Sequence, residues 1–312
     1  MAYVVTGGAG FIGSNLVDEL LAQKKEVLVI DDFSSGKEEN LAKHKNNPQL
    51  KIFRKSICDN IEDIVSECPV EAVFHLAAIP KVQFSIKEPI KAHNVNVDGT
   101  LNLLNFCKNH AVKRFVFSSS SSIYGDQDKL PLHEEMKSNP MSPYALHKLI
   151  GENYCKLFNS LYGIEAISLR YFNVYGPRQD AESQYSCLIP RVIQFIGRGE
   201  QPIINGDGKQ TRDFIYVSNV VKANINAAAI QNKECFGNIF NIGSGKNFSV
   251  NDVTDKIIGL SRKDIKPFYG PAVIEPKDTL ADISKAKNLL GFSIDENSFE
   301  EGLKKTYEFF VR

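Results

Sequence analysis

The chain carries no net charge: Lys plus Arg and Asp plus Glu both number 37 in 312 residues. That balance excludes a binder of phosphate backbones relying on a basic surface, so no nucleic-acid partner is expected. Apolar runs fall far short of the ~18 to 20 residues a membrane-spanning helix needs, and neither a basic leader nor an apolar signal stretch precedes MAYVVTGG. A soluble, cytoplasmic protein with no membrane partner is the expectation. The six cysteines (Cys58, Cys68, Cys107, Cys155, Cys187, Cys235) lack a CxxC pair. They read as reduced packing thiols, and no metal site is expected.

What is present suffices for a large core, with 43% hydrophobic residues at a length that implies one large or two closely joined domains. Short β-rich runs at Tyr3 to Val5, Val27 to Ile30, Lys51 to Phe53, Ala72 to Phe74, Arg114 to Phe117 and Ala166 to Leu169 alternate with segments of helical spacing, such as Ile12, Leu16, Leu20 and Val97, Leu101, Leu104. This rhythm predicts an α/β, Rossmann-type, doubly wound parallel sheet covered on both faces. After about residue 170 prolines and glycines punctuate shorter elements. We therefore expect a cofactor domain over 1–170 and a smaller C-terminal substrate-binding α/β domain over 171–312, some of whose segments return to the first.

The first predicted strand runs into Thr6-Gly7-Gly8-Ala9-Gly10-Phe11-Ile12-Gly13. Gly7 and Gly10 can form a tight turn that lets a pyrophosphate approach the backbone, Gly13 permits close helix-to-strand packing, and the helix N-terminus faces the anion. The second strand ends in Asp31, 18 residues beyond Gly13, where a carboxylate can bind both adenosine ribose hydroxyls and repel a 2′-phosphate. No Arg or Lys lies between Ile30 and Gly36, so the cofactor is expected to be NAD. Later, Ser118 to Ser122 close the fifth strand and Tyr144-Ala-Leu-His-Lys148 follows. Tyr144 and Lys148, four apart, share a helix face, where the ammonium is expected to lower the phenol below its ordinary ~10 and fit it as a general base.

The chain resembles the extended short-chain dehydrogenase/reductases, in particular the UDP-hexose 4-epimerases, over nearly its whole length. The resemblance is carried by TGGAGFIG at 6–13, Asp31, HLAA at 75–78, NVDGT at 96–100, SSSSSIYG at 118–125, YALHK at 144–148, RYFNVYGPR at 170–178, TRDFIYV at 211–217 and LADISKA at 280–286. It implies a catalytic set of Ser120, Tyr144 and Lys148, with Ser120 bonding the reacting oxygen and Lys148 also holding the nicotinamide ribose. It further implies NAD contacts from Gly7, Gly10, Phe11, Ile12, Gly13, Asp31, Asp32, Ser35, Gly36, Ile57, Leu76, Ala77, Ala78, Asn96, Ser118, Ser119, Tyr144, Lys148 and Tyr171. Substrate contacts are implied for Lys81, Ser120, Ser122, Tyr144, Asn173, Arg178, Arg212 and Thr279, with Arg212 clamping the diphosphate as a guanidinium can. A homodimer through the helices around Val95 to Asn109 and Tyr144 to Leu161 is also implied.

Sibling dehydratases and decarboxylases carry a carboxylate just before the Tyr of the YG pair; here those positions are Ser121 and Ser122. The resemblance therefore favours simple reversal after oxidation at C4, with NAD regenerated in place. Relatives with a Tyr just before the LADIS strand exclude N-acetylhexosamines, and the corresponding Thr279 is small, so UDP-GlcNAc and UDP-GalNAc are expected alongside UDP-Glc and UDP-Gal. UDP-glucuronate 4-epimerase and a non-catalytic NAD-binding scaffold are the alternatives. Two departures stand out: Ala272 and Glu275 occupy places where relatives have Arg and Asp, and Ser56 replaces an Asp at the adenine, with Asp59 as a substitute.

Overall fold

The computed structural model describes residues 1–66, 68–181, 187–272, 277–294 and 298–311; Glu275 lies outside them. Twelve strands occur among these residues: β1 (Ala2–Thr6), β2 (Glu26–Ile30), β3 (Leu50–Phe53), β4 (Val70–His75), β5 (Arg114–Ser120), β6 (Glu165–Tyr171), β7 (Asn173–Tyr175), β8 (Ile203–Asn205), β9 (Thr211–Tyr216), β10 (Ile239–Ile242), β11 (Asn247–Ser249) and β12 (Phe268–Gly270). Seven form one all-parallel sheet in the order β10-β6-β5-β4-β1-β2-β3. The order reverses beside β1, between β4 and β2, and at such a reversal the helices on either side diverge and open a crevice at the strand C-termini.

The sequence explains this arrangement. Strands of the type AYVVT and RFVFSSS are buried at nearly every position, as a sheet covered on both faces requires. The helix Phe11–Ala22 turns Leu16, Val17, Leu20 and Leu21 inward. The long helix Pro143–Tyr162 starts at Ser142, whose side chain caps Ala145 N, has Pro143 in its first turn and stops at Gly163 in the left-handed conformation. Two buried clusters lie on the two sides of the sheet, one including Val5, Leu16 and Val29, the other Val4, Leu28 and Phe115. The alternation of neighbouring residues between them is that of a pleated strand.

All six strands expected from the sequence are present, and β10 adds a seventh from the C-terminal part, paired with β6. The three-stranded sheet β11-β9-β7 and the pair β12-β8 stand apart from the main sheet, around a third cluster that includes Tyr175, Ile189, Phe214 and Phe299. Among the described residues no helix is long and apolar enough to cross a membrane.

Candidate active site

At the end of β1, Gly7 adopts a positive φ of 67°, and a Cβ there would lie 2.8 Å from Ala77 N. A Cβ on Gly13 would lie 2.1 Å from the Gly7 carbonyl oxygen. Only hydrogen fits at either place. Gly10 heads the helix Phe11–Ala22 without a side-chain cap or an acidic residue in the first turn, so the positive end of the helix faces the crevice undiluted. A Cβ on Gly10 would crowd the Gly7 oxygen at 3.1 Å and meet no other atom within 4 Å among the described residues. That open backbone is the cradle a pyrophosphate requires.

Asp31, 7% exposed, accepts from Ala9 N at 2.9 Å through Oδ2 and from Phe33 N at 2.8 Å through Oδ1. Each oxygen keeps a second acceptor direction. Burial pushes its carboxyl up, opposed by those two amides. Gly36 sits over it, where a Cβ would lie 2.7 Å from Oδ1. Asp32 points outward and accepts from Ser34 N and Oγ, and Ser35 is exposed on the same loop. A cation from outside residues 30 to 36 stands nearby: Arg54, just past β3, lies 4.2 Å over the Phe33 ring and acts electrostatically on Asp31. It is close in space and distant in sequence. Asp59 accepts from Ser56 N at 2.8 Å through Oδ2.

The loop after β4 is fixed by a buried chain of hydrogen bonds that the sequence reading did not anticipate. Thr100 Oγ1 donates to Asn96 O at 2.7 Å and so accepts from His75 Nε2 at 2.8 Å. His75 Nδ1 is left to accept from Thr6 Oγ1 at 2.9 Å, and that hydroxyl accepts from the amides of Leu76 and Ala77. Burial, then the Lys148 charge, hold His75 well below its ordinary range. Asn96, 3% exposed, closes the loop by bonding both backbone groups of Ile79. Its amide thus supports the loop that carries Ala78. Ile57 is buried against Gly99.

At the C-terminal end of β5 the structure brings Ser120, Tyr144 and Lys148 together. Burial pushes the Tyr144 phenol up to about 12, and the Ser120 hydroxyl draws it partway back down. This corrects the expectation that Lys148 sets the phenol low. The ammonium donates to Ser118 O at 2.7 Å and lies 5.9 Å from the Tyr144 ring centroid, while its own pKa falls to about 8 through burial. Desolvation disfavours the charged form of both groups. Ser118 Oγ donates to Tyr171 Oη, and Ser119 Oγ donates to Glu152. The Tyr171 ring is itself buried, with Oη also bonded to Asn224, so only backbone at 118, 119 and 171 is left to face the crevice. Ser122 Oγ, shielded from solvent, has no hydrogen-bond partner.

Beyond this point a cavity of about 250 Å³ is lined by Asn173, Leu188, Arg191, Asn205, Arg212 and Phe214, among others. Asn173 and Arg212 were expected there; Phe214 lies within the TRDFIYV motif without having been singled out, and Arg191 and Asn205 carry no motif that marks them. Asn173 Nδ2 donates to Asp213 O, and Arg212 Nη1 donates to the carbonyls of Thr211 and Lys277. Asp213, buried, accepts from Ser244, Gly245 and Ala281 and thereby ties β9 to the segment holding Thr279, whose Oγ1 accepts from Asp213 N. Lys81 pairs with Asp180 at 3.3 Å. Arg178 is a correction: at φ 71° the chain turns its guanidinium toward Asp18 and Asn40 O. It is therefore committed to the first helix and does not line the cavity.

Fold and crevice define an enzyme of the Rossmann class. Residues 3–243 match the model of the NAD dependent epimerase/dehydratase family, and the chain belongs to that family. Its structure is similar to UDP-N-acetylglucosamine 4-epimerase from Methanobrevibacter ruminantium in complex with UDP-N-acetylmuramic acid, at TM-score 0.94 and 41% identity, covering 99% of this chain and 98% of that one. It is similar to UDP-glucose 4-epimerase from Thermotoga maritima with UDP-glucose, at TM-score 0.93 and 38% identity, with 99% and 98% covered. UDP-glucuronic acid 4-epimerase from Bacillus cereus, in complex with UDP-glucuronic acid and NAD, matches at TM-score 0.91 and 32% identity, with 99% of both chains covered.

Proposed function

We propose that the protein is an NAD-dependent UDP-hexose 4-epimerase acting on UDP-Glc and UDP-Gal and on UDP-GlcNAc and UDP-GalNAc. The observation that carries this reading is the meeting of Tyr144 and Lys148 at the end of β5, with Ser120 acting on the Tyr144 phenol: a proton acceptor for one hydroxyl, with serines, not carboxylates, at positions 121 and 122. The glycine cradle, the helix N-terminus and Asp31 fit NAD. When bound, NAD takes up hydride from the sugar carbon and returns it.

Tyr144 removes the proton of the C4 hydroxyl, with Ser120 donating to the phenol oxygen and so favouring the phenolate. Lys148 supplies positive charge to that end of the crevice and holds the nicotinamide ribose. Arg212 and Asn173 hold the diphosphate. With the nucleotide anchored in the 250 Å³ cavity, the sugar end can turn and present its other face. Thr279, one short side chain next to Arg212 and Asp213 on β9, leaves room for an N-acetyl group, a reading supported by the related enzyme complexed with an N-acetylated sugar nucleotide. In this scheme the all-parallel sheet serves NAD and the smaller sheets serve the nucleotide sugar. The protein acts as a homodimer in the cytoplasm, with the exposed Leu146, Leu157 and Leu161 on the helix Pro143–Tyr162 as part of the pairing face.

A second reading is 4-epimerisation of UDP-glucuronate, favoured by the 32% identity to the enzyme of that name. Incubating the protein separately with UDP-Glc, UDP-GlcNAc and UDP-glucuronate, without reductant or metal, and following proton NMR distinguishes the two. Appearance of the galacto epimers of the first two supports the proposal; turnover of UDP-glucuronate alone replaces it with the second reading, and no turnover of any of the three even with added NAD rejects both.

A further inference from the structure

One buried charge near the reaction site has no part in the chemistry above. Glu152 stands one turn beyond Lys148 on the same face of the helix Pro143–Tyr162, and it and Arg170 are each 2% exposed. Glu152 Oε1 accepts from Ser119 Oγ at 2.5 Å and from Arg170 Nε at 2.8 Å, and Oε2 accepts from Arg170 Nη2 at 2.8 Å. The guanidinium lies 4.7 Å over the Tyr124 ring, whose hydroxyl donates to Asn241 Oδ1 at 2.7 Å. Register places Ser119, Arg170 and Asn241 side by side on β5, β6 and β10, so their side chains leave the sheet on one face. The row runs directly under the strand end that presents Ser120.

Buried ion pairs give little net stability over apolar residues of similar volume. Stability alone therefore does not account for this one, and its position one turn from Lys148 does. We propose that Glu152, fixed by Arg170, is a positioning residue of the reaction site: through the Ser119 hydroxyl it anchors the helix carrying Tyr144 and Lys148 to β5, and it supplies the negative charge facing the Lys148 ammonium.

The charges around Lys148 support this. Arg170 is a second buried cation, and Glu152 is the anion between the two. Burial moves the other nearby groups away from their charged forms: it lowers His75 and His147 and pushes the Tyr144 phenol and Cys155 thiol up to about 12. Burial draws Lys148 down to about 8, with Cys155 and Glu152 pulling it back up. Without the carboxylate, Lys148 would shed its proton at lower pH and cease to hold a ribose hydroxyl as a cation.

The inference rests on NAD as cofactor and on the proposed epimerase activity, so the test reads both binding and turnover. NAD affinity of the cofactor-free protein and kcat on UDP-Glc are measured for wild type, Glu152→Gln and Glu152→Asp from about pH 6 to about pH 10. In Glu152→Gln the high-pH decline of both quantities is expected to move down by about one pH unit or more, with KM for the sugar unchanged. Glu152→Asp, which keeps the charge, restores its position. A Glu152→Gln protein whose decline coincides with that of wild type overturns the proposal, whatever its kcat. Should Glu152→Gln not fold, Ser119→Ala cuts the contact with β5 and leaves the ion pair. There kcat is expected to fall by about five-fold or more at unchanged sugar KM, as loss of one buried hydrogen bond to a charged group allows, and wild-type kcat overturns the proposal. A wild-type protein that turns over no UDP-sugar defeats the epimerase reading, while the NAD-binding curves still decide the role of Glu152.

Discussion

Burial pushes Tyr144 and Lys148 the same way, toward neutrality, although they share one helix face. The Tyr144 phenol rises to about 12 and the Lys148 ammonium falls to about 8, so at neutral pH the residue needed as base holds its proton and the residue needed as cation holds one at a cost. For Lys148 the sign follows from proton counts: between about 8 and the ordinary 10.5 the unfolded chain binds a proton the folded one has lost, so stability rises with pH there. Below that window the full penalty applies. Replacing Lys148 with Met should therefore raise the melting temperature of the cofactor-free protein at neutral pH, by the equivalent of a few kcal/mol, while removing turnover. A lowered melting temperature would show the ammonium to be stabilising instead. Tyr144→Phe should cost ~10²- to 10⁴-fold in kcat, the usual share of a general base, and leave NAD affinity intact; near-normal turnover would remove Tyr144 from that role. The YxxxK spacing made both residues legible in the sequence. The direction of their shifts was not, because desolvation comes from segments remote in the chain. Arg178 was misread for the same reason: nothing near it in sequence announces Asp18, 160 residues away.

The turn between β1 and the first helix is the element on which the cofactor end depends, and its glycines are not equivalent to others in the chain. A methyl group on Gly13 would meet the Gly7 carbonyl at 2.1 Å, and the backbone of Gly7 and Gly8 would have to give way. Gly259, exposed in the helix Val250–Ser261, has nothing within 4 Å of a Cβ and no positive φ. Thus Gly13→Ala should destabilise the protein by about 1 to 3 kcal/mol, as overpacking does, and weaken NAD binding. Gly259→Ala should stabilise it by about 0.5 to 1 kcal/mol through helix propensity alone. Denaturant unfolding of the pair, with NAD titration, checks both; equal effects on stability would mean that the turn has slack. Elements defined by near-continuous apolar runs, β1 to β6, could be read directly. Ile239–Ile242 could not, because a four-residue strand following Gly237 and Asn238 and containing the buried Asn241 carries little signal of its own. Its place in the sheet is set by β6 and by the bonds from Asn241 to Leu132 O and Asp282 O. The π-helical turn Asn94–Asp98, ahead of the helix Gly99–Asn109, was likewise hidden within ordinary helical spacing.

At the scale of the whole molecule, two surfaces remain to be filled: the sugar end of the crevice and the outer face of the helix Pro143–Tyr162. Thr279 is the side chain proposed for the first, and its hydroxyl accepts from Asp213 N. Thr279→Tyr should suppress turnover of UDP-GlcNAc by about 10-fold or more while sparing UDP-Gal, the size of effect a few filled methylene volumes allow; equal loss of both would show that another side chain closes the pocket. On the second surface, Leu157 and Leu161 are 47% and 61% exposed and one turn apart, with Leu146 at 46% further along the same helix. The opposite face of that helix holds Lys148, Glu152 and Cys155 in the core, so solvent-facing leucines are not needed to fold the chain. Their removal should then separate association from folding. Under the proposed pairing, wild type is expected to sediment as a dimer and a Leu157→Asp, Leu161→Asp protein as a monomer with its circular dichroism retained. Its melting temperature should no longer rise with protein concentration, because the mass-action term that links assembly to stability has been lost. A wild type that sediments as a monomer would remove the pairing role. A variant that stays dimeric would assign pairing to a different face, leaving these leucines as isolated exposed apolar residues of the kind any soluble surface carries.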